Sequence, residues 1–276
     1  MKQALCSISS NAQVMPGIHL IWIEAPDIAA AAQPGQFITV RCGDFTLRRP
    51  FSIYQSSSLT GEGPGKGEIA ILFKVTGKGT LWLSQRKAGQ KIDILGPLGK
   101  GFAIAPKSRN LLLVAGGIGL APLVFLMQQA SSQHRITLIH GASTAAQLHP
   151  FSSAGKKRTK LSPLPKGVQF VPVTEYGSMG QTGMATDILP DFLDWADQVY
   201  ACGPVGMYKA MTQMSLRAKT SKLKLRKCQV SLEVRMGCGF GACYGCTIDT
   251  KKGLKQVCRD GPVFELDDIL WQEVRI

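Results

Sequence analysis

Cys238, Cys243, Cys246 and Cys258 fall within 21 residues, spaced C-x4-C-x2-C-x11-C. Thiolates at this spacing can ligate a 2Fe–2S centre. The loop that carries them, GCGFGACYGC, suits that task. Its glycines permit positive φ angles and close backbone approach, so a short loop can wrap a cluster. They also leave amide N–H groups free to point at sulfur, which influences reduction potential. Zinc is the competing occupant, yet it usually takes paired C-x2-C knuckles, and only Cys243 and Cys246 have that spacing. The N-terminal MKQALCSISS lacks the apolar stretch of a secretory signal, so the expectation is a cytoplasmic chain. A cysteine cluster in such a chain indicates metal rather than disulfides.

Four further motifs lie upstream. Arg49–Ser52 (RPFS) closes a strand-like run, and an arginine there can bind a flavin phosphate while the hydroxyl bonds the flavin N5 region. Residues 77–80 (GKGT) offer backbone amides to a diphosphate; a plain turn capped by Thr80 is the simpler reading. Residues 115–122 (AGGIGLAP) follow a buried run and resemble G-x-G-x-x-G, in which glycines let a helix N-terminus approach a pyrophosphate. Pro122 stands where the third small residue belongs. Residues 202–204 (CGP) end the last strand, where a nicotinamide would sit over a flavin if Gly117 and Gly119 hold the pyrophosphate. Cys202 as an ordinary core residue is the alternative. His19, His134, His140 and His149 show no metal spacing and are assigned to structure or surface.

The elements that position these motifs fall into three zones. Over residues 4–102, short β-type runs at 19–25, 35–42, 48–55, 68–75 and 91–97 alternate with turns, which indicates a sandwich or small barrel. Residues 56–67 separate two of them as a long hairpin loop. From 109 onward, buried strands at 110–115, 135–140, 167–173 and 196–202 alternate with helical patterns, including 184–195 and 204–218. That rhythm means a parallel α/β sheet with ligands at the strand C-termini. Residues 149–166, rich in proline and lysine, read as a disordered excursion. Residues 223–276 are too few for a sizeable core of their own, and a metal centre would supply crosslinks.

The 276 residues carry a net charge of +14. The excess is spread along the chain, and the one dense run, KKRTK at 156–160, has no interleaved aromatics for base stacking. Nucleic-acid binding is therefore not expected, and with no run of eighteen apolar residues neither is a membrane span.

The order RPFS, GKGT, GGIG, CGP and four cysteines resembles the ferredoxin–NADP reductase superfamily. Within it, residues 236–264 (MGCGFGACYGCTIDTKKGLKQVCRDGPVF) resemble the electron-transfer subunits of class B dihydroorotate dehydrogenases. The resemblance implies an α+β multidomain chain. Residues 1–102 would form an antiparallel FAD-binding β-barrel, 103–222 a parallel-sheet NAD-binding α/β domain, and 223–276 a small 2Fe–2S domain. Carried over by position, Arg49, Pro50, Phe51 and Ser52 contact FAD, and Leu72, Phe73 and Lys74 lie in the strand beside the flavin. Gly79 and Thr80 bind its diphosphate. Gly116, Gly117 and Gly119, with Cys202 and Gly203, frame the nicotinamide cofactor. The family further implies one FAD and one 2Fe–2S cluster per subunit, NAD as co-substrate, and a role in pyrimidine (UMP) biosynthesis. The implied partner is an FMN-containing dihydroorotate dehydrogenase catalytic subunit in a 2+2 heterotetramer. A subunit of another NAD(P)H-linked complex, of sulfite reductase, hydrogenase or ferredoxin:NADP oxidoreductase type, is the alternative. The choice between NAD and NADP stays open, because HGASTAAQ after the second strand holds no acid to read a ribose.

Overall fold

The computed structural model describes residues 1–57, 67–151, 161–217 and 227–274. Most of the 56–67 loop, and residues 152–160 of the lysine-rich stretch, lie outside the described residues. Six strands, β1 (Lys2–Met15), β2 (Ile18–Glu24), β3 (Phe37–Val40), β4 (Arg49–Ser57), β5 (Glu68–Lys74) and β6 (Lys91–Leu98), close an antiparallel barrel in the order β1-β2-β5-β4-β3-β6. Two short helices, α1 (Pro26–Ala31) and α2 (Lys78–Ser84), connect its strands. β1 is the strand that the sequence pattern does not announce. KQALCSISSNAQVM has the polar run SSNAQ at its centre and bulges in its pairing with β2, so its alternation is broken, yet it pairs with both β2 and β6 and closes the barrel.

Five parallel strands form the centre of a second sheet: β7 (Asn110–Gly116), β8 (Arg135–Ala142), β9 (Gln169–Thr174), β11 (Gln198–Cys202) and β12 (Cys228–Ser231). A two-residue strand, β10 (Gln181–Thr182), extends one edge. Helix α3 (Leu120–Ala130) follows β7, and α5 (Val205–Arg217) follows β11. The helix expected over 184–195 shrinks to one turn, α4 (Pro190–Leu193). Before it, Gly183 sits at φ +121° and the Asp187 carboxylate accepts the Met184 N–H at 2.7 Å, a local side-chain bond that competes with helix.

The cysteine segment does not stand apart from this sheet. Its hairpin, β13 (Thr247–Thr250) and β14 (Gly253–Gln256), leads through the turn α6 (Val257–Asp260) into β15 (Val263–Glu265), which pairs antiparallel with β12. One apolar cluster joins Val114, Val199 and Val230 of the sheet to Cys246, Val257 and Cys258 of the cysteine segment. The small core anticipated for that segment is therefore borrowed from its neighbour. A second cluster joins the outer face of the barrel (Tyr54, Leu72) to Leu113 of β7 and Leu123 of α3. No helix among the described residues is long and apolar enough to cross a membrane.

Candidate functional site

A cleft of about 700 Å3 opens at the C-terminal ends of β7, β8 and β11. Gly116, Gly117, Gly119 and Gly203 all line it, so the structure brings the GGIG and CGP motifs together. After Gly116 the chain makes a 3-10 turn, Gly117–Gly119, with Gly117 at φ +54°, and enters α3. Gly119 is a glycine for want of space: a Cβ there would lie 2.3 Å from the Cys202 carbonyl oxygen. Pro122 falls in the first turn of α3, where the missing N–H is not required. Cys202 meets this turn through its carbonyl, behind Gly119, and does not line the cleft. Its thiol is buried, outside the cleft lining, and burial raises its pKa further above the usual thiol range than the neighbouring Tyr208 and Ser231 hydroxyls lower it.

The flavin motifs also converge. β4 carries Arg49 to Ser52, and α2 brings Gly79 against the arginine: a Cβ on Gly79 would meet Arg49 Nε at 2.9 Å. Thr80 is occupied within its own turn, accepting the Thr76 and Gly77 N–H groups at 2.9 and 3.1 Å and donating to the Gly77 carbonyl. Phe51 and Phe73 are buried in the barrel cluster with ring centroids 5.5 Å apart. Leu72 is buried in the barrel–sheet cluster, whereas Lys74 is exposed, and Pro50 and Ser52 are half-buried. The arginine, the half-buried hydroxyl and a glycine that lets the turn approach the arginine closely fit a flavin dinucleotide.

In the cysteine loop, the thiols group in two hydrogen-bonded pairs. The Cys238 N–H points at Cys243 Sγ at 3.4 Å, and the Cys258 N–H points at Cys246 Sγ at 3.4 Å. The Ala242 N–H donates to Cys238 Sγ at 3.2 Å. Partial burial raises the Cys238 thiol pKa, but the amides of Phe240, Cys243 and Ala242 outweigh it and bring the value down to about 6. Burial and the neighbouring Cys246 push Cys258 up to about 12. No three His, Cys, Asp or Glu groups among the described residues are placed to hold a single metal ion. Two pairs of thiols instead match a two-iron centre with two cysteines per iron. A Cβ on Gly237 would lie 3.0 Å from Cys243 Sγ, and one on Gly239 (φ +83°) would lie 2.9 Å from Thr39 Cγ2 on β3. The Thr39 hydroxyl at this seam is buried without a hydrogen-bond partner. Amides aimed at sulfur, a glycine-lined cradle and an idle hydroxyl fit a cluster.

Three groups that the sequence did not single out belong to this region. Glu175, after β9, and Glu233, after β12, both line the cleft. Solvent reaches Glu233 through the cleft, yet the surrounding protein desolvates its carboxyl and raises its pKa. The third is a buried chain of hydrogen bonds between barrel and cleft. Ser162 N–H donates to Tyr54 Oη at 3.2 Å, and Tyr54 O–H donates to His149 Nε2 at 2.9 Å. His149 N–H donates to His140 Nδ1 at 3.4 Å, and His140 Nε2–H donates to the Gly117 carbonyl at 3.1 Å. These directions make both rings neutral. Burial, the larger cause for each, lowers the pKa from 6.5 to about 4 for His140 and about 3 for His149.

A stability consequence follows from the sign of these shifts. At pH 7 both rings are neutral whether the chain is folded or unfolded. Below pH 6.5 the unfolded chain takes up protons that the folded chain refuses until about pH 4, so stability falls across that window. The loss should reach about 2–3 kcal/mol for each ring. Thermal melts between pH 7 and 4.5 check it: His140→Gln with His149→Gln should flatten the acid slope, and an unchanged slope would refute the assignment.

The barrel, parallel sheet, glycine-lined cleft and paired cysteines define a ferredoxin-reductase-type oxidoreductase with an added iron–sulfur segment. Residues 233–270 match the model of the iron–sulfur cluster binding domain of dihydroorotate dehydrogenase B, and 113–213 match the oxidoreductase NAD-binding domain. A "Dihydroorotate dehydrogenase B (NAD(+)), electron transfer subunit" of Desulforamulus reducens is 36% identical over 94% of this chain and 95% of that protein. A protein of the same name from Caldanaerobacter subterraneus is 35% identical over 86% of this chain and 87% of its own length. Among solved structures, one of an NADH-dependent reduced ferredoxin-NADP oxidoreductase superposes with TM-score 0.78 at 28% identity, covering 98% of this chain and 91% of that one. The chain belongs to the family of dihydroorotate dehydrogenase B (NAD+) electron transfer subunits.

Proposed function

We propose that this chain carries electrons between the FMN of a dihydroorotate-oxidising partner subunit and NAD+, as one half of a 2+2 heterotetramer. In the overall reaction dihydroorotate loses two electrons and two protons. NAD+ takes both electrons and one proton, and the other proton goes to solvent. When bound, the cluster passes single electrons and FAD couples them to the two-electron nicotinamide.

The chain's own residues divide the work. Cys238 and Cys243 hold one iron, and Cys246 and Cys258 hold the other. Cys243 is exposed, flanked by exposed Phe240 and Tyr244, and these face the partner. Arg49 binds the FAD diphosphate beside Gly79 and Thr80, with Ser52 near the flavin N5 and Pro50, Phe51, Leu72, Phe73 and Lys74 around the ring. Gly116, Gly117, Gly119 and Gly203 leave room for the nicotinamide dinucleotide, and the main chain of Cys202 backs that turn.

One observation carries the reading. The cysteine loop rests on β3 through Gly239 and Thr39, and Thr39 pairs directly with Pro50 of the RPFS strand. Only β3 stands between the cluster loop and the flavin strand, and β3 and β4 lie about 5 Å apart in the hydrogen-bonding direction.

Co-expression with the candidate FMN subunit tests it. The purified complex should reduce NAD+ with dihydroorotate, and native mass should correspond to two copies of each chain. Alone, this chain should oxidise NADH with an artificial acceptor and leave dihydroorotate untouched. A native partner that lacks FMN and is inert toward dihydroorotate would replace this reading with one of the other NAD(P)H-linked complexes. Arg49→Ala should weaken FAD binding roughly 10- to 100-fold, since it removes a charge-assisted bond to phosphate. Flavin fluorescence on dilution measures that loss.

A further inference from the structure

Side chains alternate between the two faces of β3. Ile38 and Val40 belong to the barrel cluster with Phe51 and Ile53, so Phe37 and Thr39 lie on the other face. Phe37 packs in the same apolar cluster as Cys246 and Cys258. Thr39, two residues on, receives the cysteine loop. A Cβ on Gly239 would lie 2.9 Å from Thr39 Cγ2, and Gly239 directly follows Cys238. Both side chains on this face of the strand therefore abut the segment that carries the four thiols.

Thr39 is 2% exposed, and its Oγ1 has no hydrogen-bond partner among the described residues. A buried hydroxyl left unsatisfied is costly, so each such group calls for a partner. Thiolate-ligated iron would bring anionic sulfur, an acceptor, to this seam. We infer that the Thr39 hydroxyl donates a hydrogen bond to a sulfur of the cluster and raises its reduction potential. The inference rests on the cysteine loop holding that cluster. One added electron increases the negative charge on sulfur, so a donor there stabilises the reduced form more than the oxidised one. The loop supplies donors of its own, such as the Ala242 N–H on Cys238 Sγ at 3.2 Å. Thr39 adds one from the barrel, on the strand that pairs with Arg49–Ser52 of β4. The potential is thereby set from the flavin side of the seam as well as from the loop.

A redox titration of the full chain, purified anaerobically with FAD and cluster bound, tests this without turnover. Paramagnetic resonance of the reduced cluster and the visible flavin bands report the two centres separately. Thr39→Val removes the hydroxyl at nearly constant shape. It should move the cluster's one-electron equilibrium roughly three- to tenfold toward the oxidised form, a fall of about 30–60 mV, and leave the flavin potentials in place. Thr39→Ser, which keeps the donor, should stay within about twofold of the unmodified chain. Thr39→Ala should reproduce the fall if the valine variant does not fold or load a cluster. An unchanged cluster potential in either loaded variant would overturn the inference. So would an equal fall in Thr39→Ser, or a shift confined to the flavin. Absence of a reduced-cluster signal from the unmodified chain would instead sink the reading of the cysteine loop, and this inference with it.

Discussion

Replacing Cys258 by serine should erase the paramagnetic signal of the reduced cluster and cut dihydroorotate-linked NAD+ reduction by about a hundredfold or more. Even loss of a residue that only supports a ligand typically costs 10–100-fold in metal affinity or activity. Cys258 is buried at 2% exposure beside Cys246, so no nearby solvent ligand replaces it. The flavin and nicotinamide motifs lie on other elements. NADH-driven reduction of a dye that accepts electrons from FAD should therefore stay close to the unmodified rate. The contrast separates a relay from a structural clip: if the variant loses flavin and NADH oxidation as well, the cysteines serve mainly to hold the fold.

The second large effect should come from Gly119→Ala. The added methyl group would lie 2.3 Å from the Cys202 carbonyl oxygen and 2.8 Å from the Gly203 nitrogen, both backbone atoms that no rotamer change can move. Either the turn after β7 lifts off β11 or the strand end shifts, and overpacking of this kind costs about 1–3 kcal/mol. A displacement near 1 Å at a reacting group can cost about 10²-fold in rate. kcat/KM for NADH should fall by about that factor, while bound FAD stays at one per chain. Gly206→Ala is the comparison within the same cleft lining, because a Cβ there meets no protein atom within 4 Å and so leaves the backbone of the turn in place. Equal activity losses in the two variants would refute the steric account.

How much of this was legible beforehand depends on the kind of signal. The cysteine spacing, the RPFS run and GGIG after an apolar strand are local patterns whose chemistry lies in the residues themselves. β1 escaped notice because its order comes from pairing on both edges rather than from its own alternation. The borrowing of the sheet by the cysteine segment was equally hidden, since β12 and β15 are only four and three residues long and find each other across the hairpin. That Cys202 is buried behind the turn and does not line the cleft is a matter of strand pleat, which its position in the sequence does not show. His140 and His149, assigned to structure or surface by their spacing, are buried and hydrogen-bonded, and His140 ties to the Gly117 carbonyl.

That shared apolar seam between barrel and sheet has a further consequence. Tyr54 and Leu72 of the barrel pack with Leu113 and Leu123 of the sheet, and the Tyr54–His149–His140 chain ends on the Gly117 carbonyl. The two halves therefore cannot hinge about a polar joint without exposing oil and breaking buried polar bonds. If the cleft is the dinucleotide site, its walls are set at folding, and entropy that a clamshell would surrender on each turnover has been surrendered once.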